Sequence, residues 1–338
     1  MNNRASEIRA FLLHQVNQYP HDIVAATMHH FKVTRTTVHR HINFLIKQGQ
    51  LLKSGITSNI CYYKSDNLNQ QHRYKITPTL SEFEVYHHDF ENLFSNFKKN
   101  IQDIVHYSFT EIFNNALDHS NGKKIKASTS LYKDKLTISI EDDGVGIFSK
   151  VARFLNLPTL QESVLQLSKG KLTTDPVHHT GEGLFFSARL FDVFEIYANG
   201  LHYYRDNQEN DFGIEHLDKR PQGTKITMSL NLHTERDLVT VFKQYQHPQS
   251  LAFDRTEILV ELSRLGQEVL ISRSQAKRIT FGLEKFNLIT LDFSGIRLIG
   301  QGFVDEIFRI FAQAHPSIQI HYKHANEDVT FMIKRSLG

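Results

Sequence analysis

The chain has 338 residues, of which 40% are hydrophobic and 22% charged, and its formal net charge is +3. These values are ordinary for a soluble globular protein of two or three domains. The apolar runs are short and interrupted, so the sequence predicts no membrane span, and the N-terminus lacks the apolar core of a secretory signal. A single cysteine excludes an internal disulfide and a cysteine-based zinc site, which favours a cytoplasmic location.

The first part of the chain predicts three helices followed by a small hairpin. Apolar residues recur at helical spacing over Ala5–Tyr19, and a second helix fits Asp22–Phe31, capped by its first residue. Thr34 then caps a third helix that runs to about Gln48. Two short extended segments follow, joined by a turn at 55–59.

This pattern resembles the winged helix-turn-helix domains, and we assign residues 1–66 to such a domain. The span carries eight Lys or Arg against three Asp or Glu, an excess of five positive charges. A basic excess favours a nucleic-acid partner. The third helix has polar and basic side chains opposite its apolar stripe, and we expect contacts with DNA from Arg35, Thr36, Thr37, His39 and Arg40. The alternative is a helical module that binds another protein.

A polar stretch at 67–81 predicts a linker or edge strand, and a helix follows from Glu82 to about Lys98. The next predicted helix, Asp103–His119, carries polar side chains at positions i, i+4 and i+7, namely Glu111, Asn115 and Asp118. This spacing places them on one face, apart from the apolar stripe. Two carboxylates and an amide that face one cavity are costly to bury without a polar ligand. The alternative is a surface helix with ordinary polar residues.

Two glycine turns follow this helix. A predicted hairpin leads into Glu141–Ile147 (EDDGVGI), where glycines let the backbone turn sharply and approach a ligand. The second turn, His179–Leu184 (HTGEGL), opens a predicted helix whose N-terminal amides suit phosphate oxygens. Between them, 148–180 predicts a short helix and a lid. The lid is rich in basic and hydroxyl side chains: Lys169, Lys171, Thr173, Thr174, His178 and His179.

In their order and spacing, these segments resemble the N box and the two glycine boxes of the GHKL ATPases, a family that includes gyrase, a heat-shock chaperone and histidine kinases. The resemblance covers about residues 82–232 and implies an α/β sandwich of the Bergerat type that binds ATP and Mg²⁺. It implies that Glu111 is the general base, that Asn115 binds Mg²⁺, and that Asp142 accepts a hydrogen bond from the adenine amino group. The other implied nucleotide contacts are Asp118, Gly144, Gly146, Gly181, Gly183, Leu184 and Thr224.

The resemblance leaves the acceptor of the γ-phosphate open. Water as acceptor gives an ATPase, and a protein serine gives a kinase similar to the anti-sigma-factor kinases of the family. Asp118 favours water, because those kinases commonly have histidine at that place. Lys169 and Lys171 are the candidates for a lysine that contacts the γ-phosphate.

Beyond a polar connection at 233–249, predicted strands and helices alternate, which indicates a small α/β layer structure. The strands are predicted at Glu268–Ser272, Leu288–Phe293 and Ile318–Tyr322, and the helices at Ser274–Glu284 and Gly302–Gln313. The region 248–338 resembles the STAS-like domains, which are related to anti-sigma-factor antagonists. Gly300–Phe303 (GQGF) stands where those antagonists have their phosphorylated serine. We therefore expect a regulatory or dimerisation module, or a docking surface for a partner protein.

The expected fold is thus a multidomain chain of α+β and α/β units: a winged helix at 1–66, a GHKL domain at 67–234 and a STAS-like domain at 248–338. The expected function is that of a cytoplasmic, dimeric, ATP-controlled regulator that binds DNA. One alternative is a GHKL ATPase effector, for example in a defence system, that the winged helix recruits to its target. The other is a protein serine kinase.

Overall fold

The computed structural model describes residues 3–16, 18–48, 50–54, 60–64, 68–172, 181–265 and 268–337. The turn predicted at 55–59 and the lid residues 173–180 lie outside this part of the chain. Within the described ranges, no helix is long and apolar enough to cross a membrane.

The N-terminal unit consists of three helices and a two-stranded antiparallel hairpin. These elements are α1 Asn3–Gln15, α2 Ile23–Phe31, α3 Arg35–Lys47, β1 Leu51–Ser54 and β2 Cys61–Lys64. The helices and one face of the hairpin form a small core that includes Ile8, Leu12, Val38, Ile42, Leu45 and Tyr62. The other face of the hairpin, with Leu52, Cys61 and Tyr63, packs into the core of the rest of the chain.

Two caps were predicted in this unit. At the start of α3, the Thr34 hydroxyl oxygen accepts a hydrogen bond from the Thr37 backbone N–H at 3.3 Å, as expected for a helix cap. Asp22 stands at the cap position of α2, but its side chain makes no cap hydrogen bond, so its predicted capping role is wrong.

The central unit contains one antiparallel sheet covered by helices. Its strands are β3 Gln70–Lys75, β4 Lys124–Tyr132, β5 Lys135–Asp142, β6 Val193–Ala198, β7 Leu201–Asp206, β8 Asp211–His216 and β9 Thr224–Asn231. Among the described residues, these seven strands follow the order β3-β4-β5-β9-β6-β7-β8. The linker predicted at 67–81 therefore supplies an edge strand of the sheet.

The helices of the central unit pack on this sheet. They are α4 Glu82–Val85, α5 Glu91–Phe94, α6 Lys99–His119, α7 Ile147–Leu155, α8 Leu160–Lys169, α9 Gly183–Leu190 and α10 Leu238–Tyr245, with a π-helical turn at Tyr86–Phe90. Helix α6 buries the stripe of Phe109, Ile112, Phe113 and Ala116 and leaves Glu111 half-buried.

The C-terminal unit is a three-stranded parallel sheet with helices. The strands are β10 Arg255–Leu259, β11 Leu288–Asp292 and β12 Gln319–Lys323, and the α-helices are α11 Arg273–Thr280, α12 Gln301–Val304, α13 Ala312–Ala314 and α14 Glu327–Leu337. The π-helical turn Asp305–Phe311 joins α12 to α13, and 3₁₀ turns lie at Val260–Ser263 and Leu283–Lys285.

One predicted strand of this unit is wrong. In Glu268–Ser272, only Leu270 forms a β-bridge among the described residues, with Ile299, because the backbone N–H groups of Ile271 and Ser272 donate to Gln275 Oε1 at 2.8 and 2.9 Å instead of to a strand. The strand that pairs with β11 is instead β10, which the sequence analysis missed.

The central and C-terminal units share one continuous hydrophobic core. Phe253 lies at their junction, with its ring centroid 4.7 Å from that of Phe185 on α9 and 5.6 Å from that of Phe286. Aromatic pairs at these separations add to the stabilisation from burial. The two units are thus packed against each other as parts of a single interior.

Candidate functional site

A cavity of about 340 Å³ lies between α6, the end of β5, the start of β9 and the start of α9. Its wall includes most of the nucleotide contacts expected from the sequence, namely Glu111, Asn115, Asp142, Gly146, Gly181, Gly183, Leu184 and Thr224. Of the described residues expected at this site, Asp118 and Gly144 lie outside the wall. The Asp118 side chain is exposed, whereas Gly144 donates its backbone N–H to Asp142, which is part of the wall.

One end of the cavity is built around the buried carboxyl group of Asp142. Its Oδ1 accepts hydrogen bonds from the backbone N–H groups of Gly144 at 2.8 Å and Thr224 at 3.3 Å. Burial raises the pKa of Asp142, and these two backbone donors oppose that rise. The Thr224 hydroxyl in turn accepts from the Ile147 N–H at 3.0 Å, which ties the start of α7 to β9. The result is a fixed polar corner in a largely apolar pocket.

Glycine allows this corner to close. Gly223 has a φ of +74°, and a Cβ added there would lie 2.7 Å from the carbonyl carbon of Asp142. A Cβ added to Gly144 would lie 2.6 Å from the carbonyl carbon of Ser120, at the end of α6. Because both clashes are with backbone atoms, neither position accepts a side chain without movement of the chain.

Asn199, which the sequence analysis missed, fixes the rest of this turn. Its Oδ1 accepts from the Ser149 N–H at 3.0 Å, and its Nδ2 donates to the Val145 carbonyl at 3.0 Å. Gly146, with a φ of +82°, packs against the same side chain. The signal in the sequence was Asn199-Gly200, which reads as a hairpin turn and gives no hint of this distant contact.

The opposite end of the cavity brings Glu111 and Asn115 close to the second glycine turn. A Cβ added to Gly183, the first residue of α9, would lie 2.7 Å from Glu111 Cδ and closer still to Oε2. The backbone of Leu172 packs in the same way against Gly181, whose φ is +72°. The first N–H groups of α9 have no partner within the helix, so this end is suited to an anionic group.

The lysines are distributed differently from the expectation. Lys150 lines the cavity, and its Nζ donates to the His119 carbonyl at 2.6 Å, while burial lowers its pKa. Lys169 and Lys171 instead point away from the cavity, since their ammonium groups donate to backbone carbonyls of the C-terminal unit. Neither is therefore placed to contact a phosphate in this structure. The carbonyls that bind them are more than a hundred residues away in sequence, so no local pattern reveals this.

The donor set fits a nucleotide with a hard cation better than a metal held by protein alone. Within the described residues, no group of three or more His, Cys, Asp or Glu side chains could hold a metal ion. Mg²⁺ is usually bound through one or two protein oxygens and the phosphates of its substrate. Asn115, with Glu111 one helical turn away, offers such oxygens in the same cavity wall as Gly181 and Gly183.

The expected DNA-contact residues lie on one side of α3. Arg35, Thr36 and Arg40 are exposed, whereas Thr37 and His39 are half-buried. The Arg35 side chain lies 3.5 Å from His39 Nε2, and the Thr37 hydroxyl lies 3.0 Å from the hydroxyl of the capping Thr34. The face thus presents two arginines to solvent, whereas the Thr37 hydroxyl pairs with the hydroxyl of the capping Thr34.

Comparison with known protein families gives one match. The family model described as a STAS-like domain of unknown function (DUF4325) matches residues 275–330. This confirms the C-terminal STAS-like part of the expectation, over about one sixth of the chain. The comparison with curated proteins gave no match.

Proposed function

We propose that the chain is an ATP-dependent regulator that binds DNA through its N-terminal unit. The observation that carries this proposal is that Glu111, Asp142 and Gly183, from three segments of the chain, line one cavity. A buried carboxylate at one end and glycine turns at a helix start at the other match the two ends of a nucleoside triphosphate.

Each residue has a distinct role in this proposal. Asp142 accepts a hydrogen bond from the adenine amino group, and the backbone donors of Gly144 and Thr224 hold it in place. The glycine turn at Gly181 and Gly183 binds phosphate oxygens through backbone N–H groups. Asn115 binds Mg²⁺, which supplies charge neutralisation on the phosphates when bound. Glu111 aligns the nucleophile, either water or a serine hydroxyl, and accepts its proton.

Two nucleophiles compete in this scheme. With water as the nucleophile the protein is an ATPase, and we propose this function first. The expectation of water relied on Asp118, yet that side chain is exposed and outside the wall of the cavity. Transfer to a serine of another protein is therefore the second candidate function.

Nucleotide would act on DNA binding only through a difference in ATP affinity between two arrangements of the chain. Arg35 and Arg40 project from α3 into solvent, where they can reach phosphates or base edges. A dimer would allow two such helices to bind paired half-sites. We therefore propose DNA as the partner of the N-terminal unit and a homodimer as the form of the protein that binds it.

The nucleotide part is tested with Glu111→Gln and the matched control Glu84→Gln, an exposed carboxylate on α4. We expect Glu111→Gln to bind a non-hydrolysable ATP analogue in calorimetry but to release no phosphate from ATP, while Glu84→Gln behaves as the wild type. Transfer of the γ-phosphate to an added protein, without phosphate release, supports the kinase candidate. No heat of binding in the wild type with ATP and Mg²⁺ would refute the nucleotide site.

The DNA part is tested by titrating a DNA duplex with and without the ATP analogue. Arg40→Ala should weaken binding and reduce the salt slope by about one unit if Arg40 contacts phosphate. Arg153→Ala, an exposed arginine on α7, is the control of equal charge change. Equal DNA affinity with and without nucleotide would contradict the switch, and equal affinity of both arginine variants would contradict the role of α3.

A further inference from the structure

The ammonium group of Lys169 joins the central unit to the STAS-like domain. Lys169 ends α8, is 2% exposed, and its Nζ donates to Gln166 Oε1 at 2.9 Å, the Arg278 carbonyl at 3.0 Å and the Phe281 carbonyl at 2.9 Å. An ammonium group has three N–H donors, so all are used. The two carbonyls lie at the C-terminal end of α11, where backbone acceptors lack helical partners and a cation is favoured.

Neighbouring contacts hold the same segment. Gln166 Nε2 donates to the Arg278 carbonyl at 3.2 Å, and the Thr256 hydroxyl donates to the Lys169 carbonyl at 2.7 Å. Lys171 Nζ donates to the Lys285 carbonyl at 2.7 Å. We call Gln166, Lys169 and Lys171 the latch, because each binds the STAS-like domain through its side chain.

Two leucines next to the latch residues in sequence face the cavity instead. Leu167 and Leu172 both line its wall. The backbone of Leu172 lies against Gly181, and Gly183 lies against Glu111, as the clashes of an added Cβ show. The segment is therefore in contact with the STAS-like domain on one side and with the cavity on the other.

We propose that the latch couples the STAS-like domain to the cavity, so that docking of this domain on Lys169 holds the wall in the form that binds nucleotide tightly. This inference rests on the proposed nucleotide function. Docking fixes Leu167 and Leu172 and, through Leu172, the Gly181 turn. By thermodynamic reciprocity, nucleotide in the cavity must stabilise docking to the same extent. An event that loosens the end of α11 then lowers nucleotide affinity.

The burial of Lys169 makes this contact depend on the acceptors at the end of α11. Burial lowers the pKa of Lys169 well below its usual range, while the charges of Glu284 and Glu162 oppose that change. A buried ammonium is tolerated only while its hydrogen-bond acceptors are in place. Release of α11 would therefore leave Lys169 to move into solvent rather than remain in the apolar junction.

The test uses Lys169→Met in the full chain, with Lys285→Met as the matched control. Methionine keeps an unbranched side chain of similar length but removes the Lys169 donor from the Arg278 and Phe281 carbonyls, and among the described residues only Arg278 keeps a second donor, from Gln166. The exposed Lys285 contributes only its backbone carbonyl to the latch, so its substitution removes a charge but no latch contact. Gln166→Met is the milder second variant, which decides the matter if Lys169→Met does not fold.

Affinity for a non-hydrolysable ATP analogue with Mg²⁺ is measured by calorimetry, and amide hydrogen exchange is followed in α11. We expect the latch variants to bind the analogue about 5- to 150-fold more weakly, the usual range of coupling between sites. In the wild type and in Lys285→Met, the analogue should slow exchange at the end of α11, whereas in the latch variants it should not.

A latch variant could be folded and show faster amide exchange in α11, yet bind the analogue with wild-type affinity. That result would mean that the latch only packs the two units together, and it would overturn the inference. The wild type reports separately on the proposed function. If it binds no analogue, the nucleotide site is wrong and this inference is wrong with it.

Discussion

Replacing Gly183 by alanine should impair hydrolysis far more than nucleotide binding. The added Cβ would lie 2.7 Å from Glu111 Cδ, whereas ordinary van der Waals contact begins at 3.4 Å. The Glu111 carboxyl carbon must therefore move by at least 0.7 Å, and Oε2, which is closer, must move further. Gly183 is not in the left-handed region, so alanine is compatible with its backbone conformation.

The cost to the fold and the cost to catalysis differ in size. Alanine in a helix is favoured over glycine by roughly 0.5–1 kcal/mol, and a tight contact with a movable side chain costs about 1–3 kcal/mol. The free energy of unfolding should therefore fall by no more than about 2.5 kcal/mol. A displacement of about 1 Å in a catalytic group can lower the rate about 100-fold. We expect kcat for ATP hydrolysis to fall by this factor, with less than about tenfold loss of affinity.

Phosphate release and calorimetry with the ATP analogue measure the two quantities, and urea denaturation measures stability. Ser187→Ala on the same helix is the control, since Ser187 Oγ is buried and finds no hydrogen-bond partner among the described residues. That substitution should leave hydrolysis unchanged. Hydrolysis at the wild-type rate in Gly183→Ala would show that the position of the Glu111 carboxylate does not matter, and it would remove Glu111 as the general base.

Four further predictions concern the polar corner at Asp142. Asp142→Asn should leave the melting temperature unchanged or raise it, because the raised pKa of Asp142 means that its buried charge destabilises the fold at neutral pH. The same variant should lose about 1.5–3 kcal/mol of ATP binding in calorimetry, because in the proposed binding mode its side-chain amide would present a donor to the adenine amino group. As the pH is lowered, the ATP affinity of the wild type should fall when Asp142 is protonated, and its raised pKa places this fall at a higher pH than for an exposed aspartate. Calorimetry of Asp142→Asn at the same pH values should show no such fall. Gly144→Ala should lower the free energy of unfolding in urea by about 1–3 kcal/mol, since its Cβ meets the Ser120 backbone; a variant as stable as the wild type would contradict the close packing of this turn.

Local patterns predicted much of the fold. The helix observed at Lys99–His119 covers the predicted Asp103–His119, and the hairpin of β4 and β5 follows the alternation of apolar residues. Both signals are local, since a helix face and a strand face repeat within a few residues. The spacing of Glu111 and Asn115 on one helix was predicted for the same reason.

Features that depend on distant partners were missed. Strand β10 is short, contains Arg255 and Glu257, and acquires its strand conformation by parallel pairing with β11, about thirty residues later. Helix α10 is the exception, because it was missed although its signal is local: Asp237 caps it by accepting a hydrogen bond from the Thr240 N–H at 2.9 Å. Lys169 and Lys171 had the composition of a phosphate-binding loop, but the end of α11 determines their direction.

The chemistry of Asp142 supports the proposed role of this corner in ligand binding over a role in the fold. An asparagine in its place would accept the same hydrogen bonds from Gly144 and Thr224 through its side-chain oxygen, without a buried charge. The carboxylate thus adds nothing to the fold that a neutral amide would not provide, and burial penalises its ionised form. A strongly buried acid in a cleft is a marker of a functional site for this reason. What the carboxylate alone provides is an acceptor that never donates, which is the property needed to recognise an amino group on a bound base.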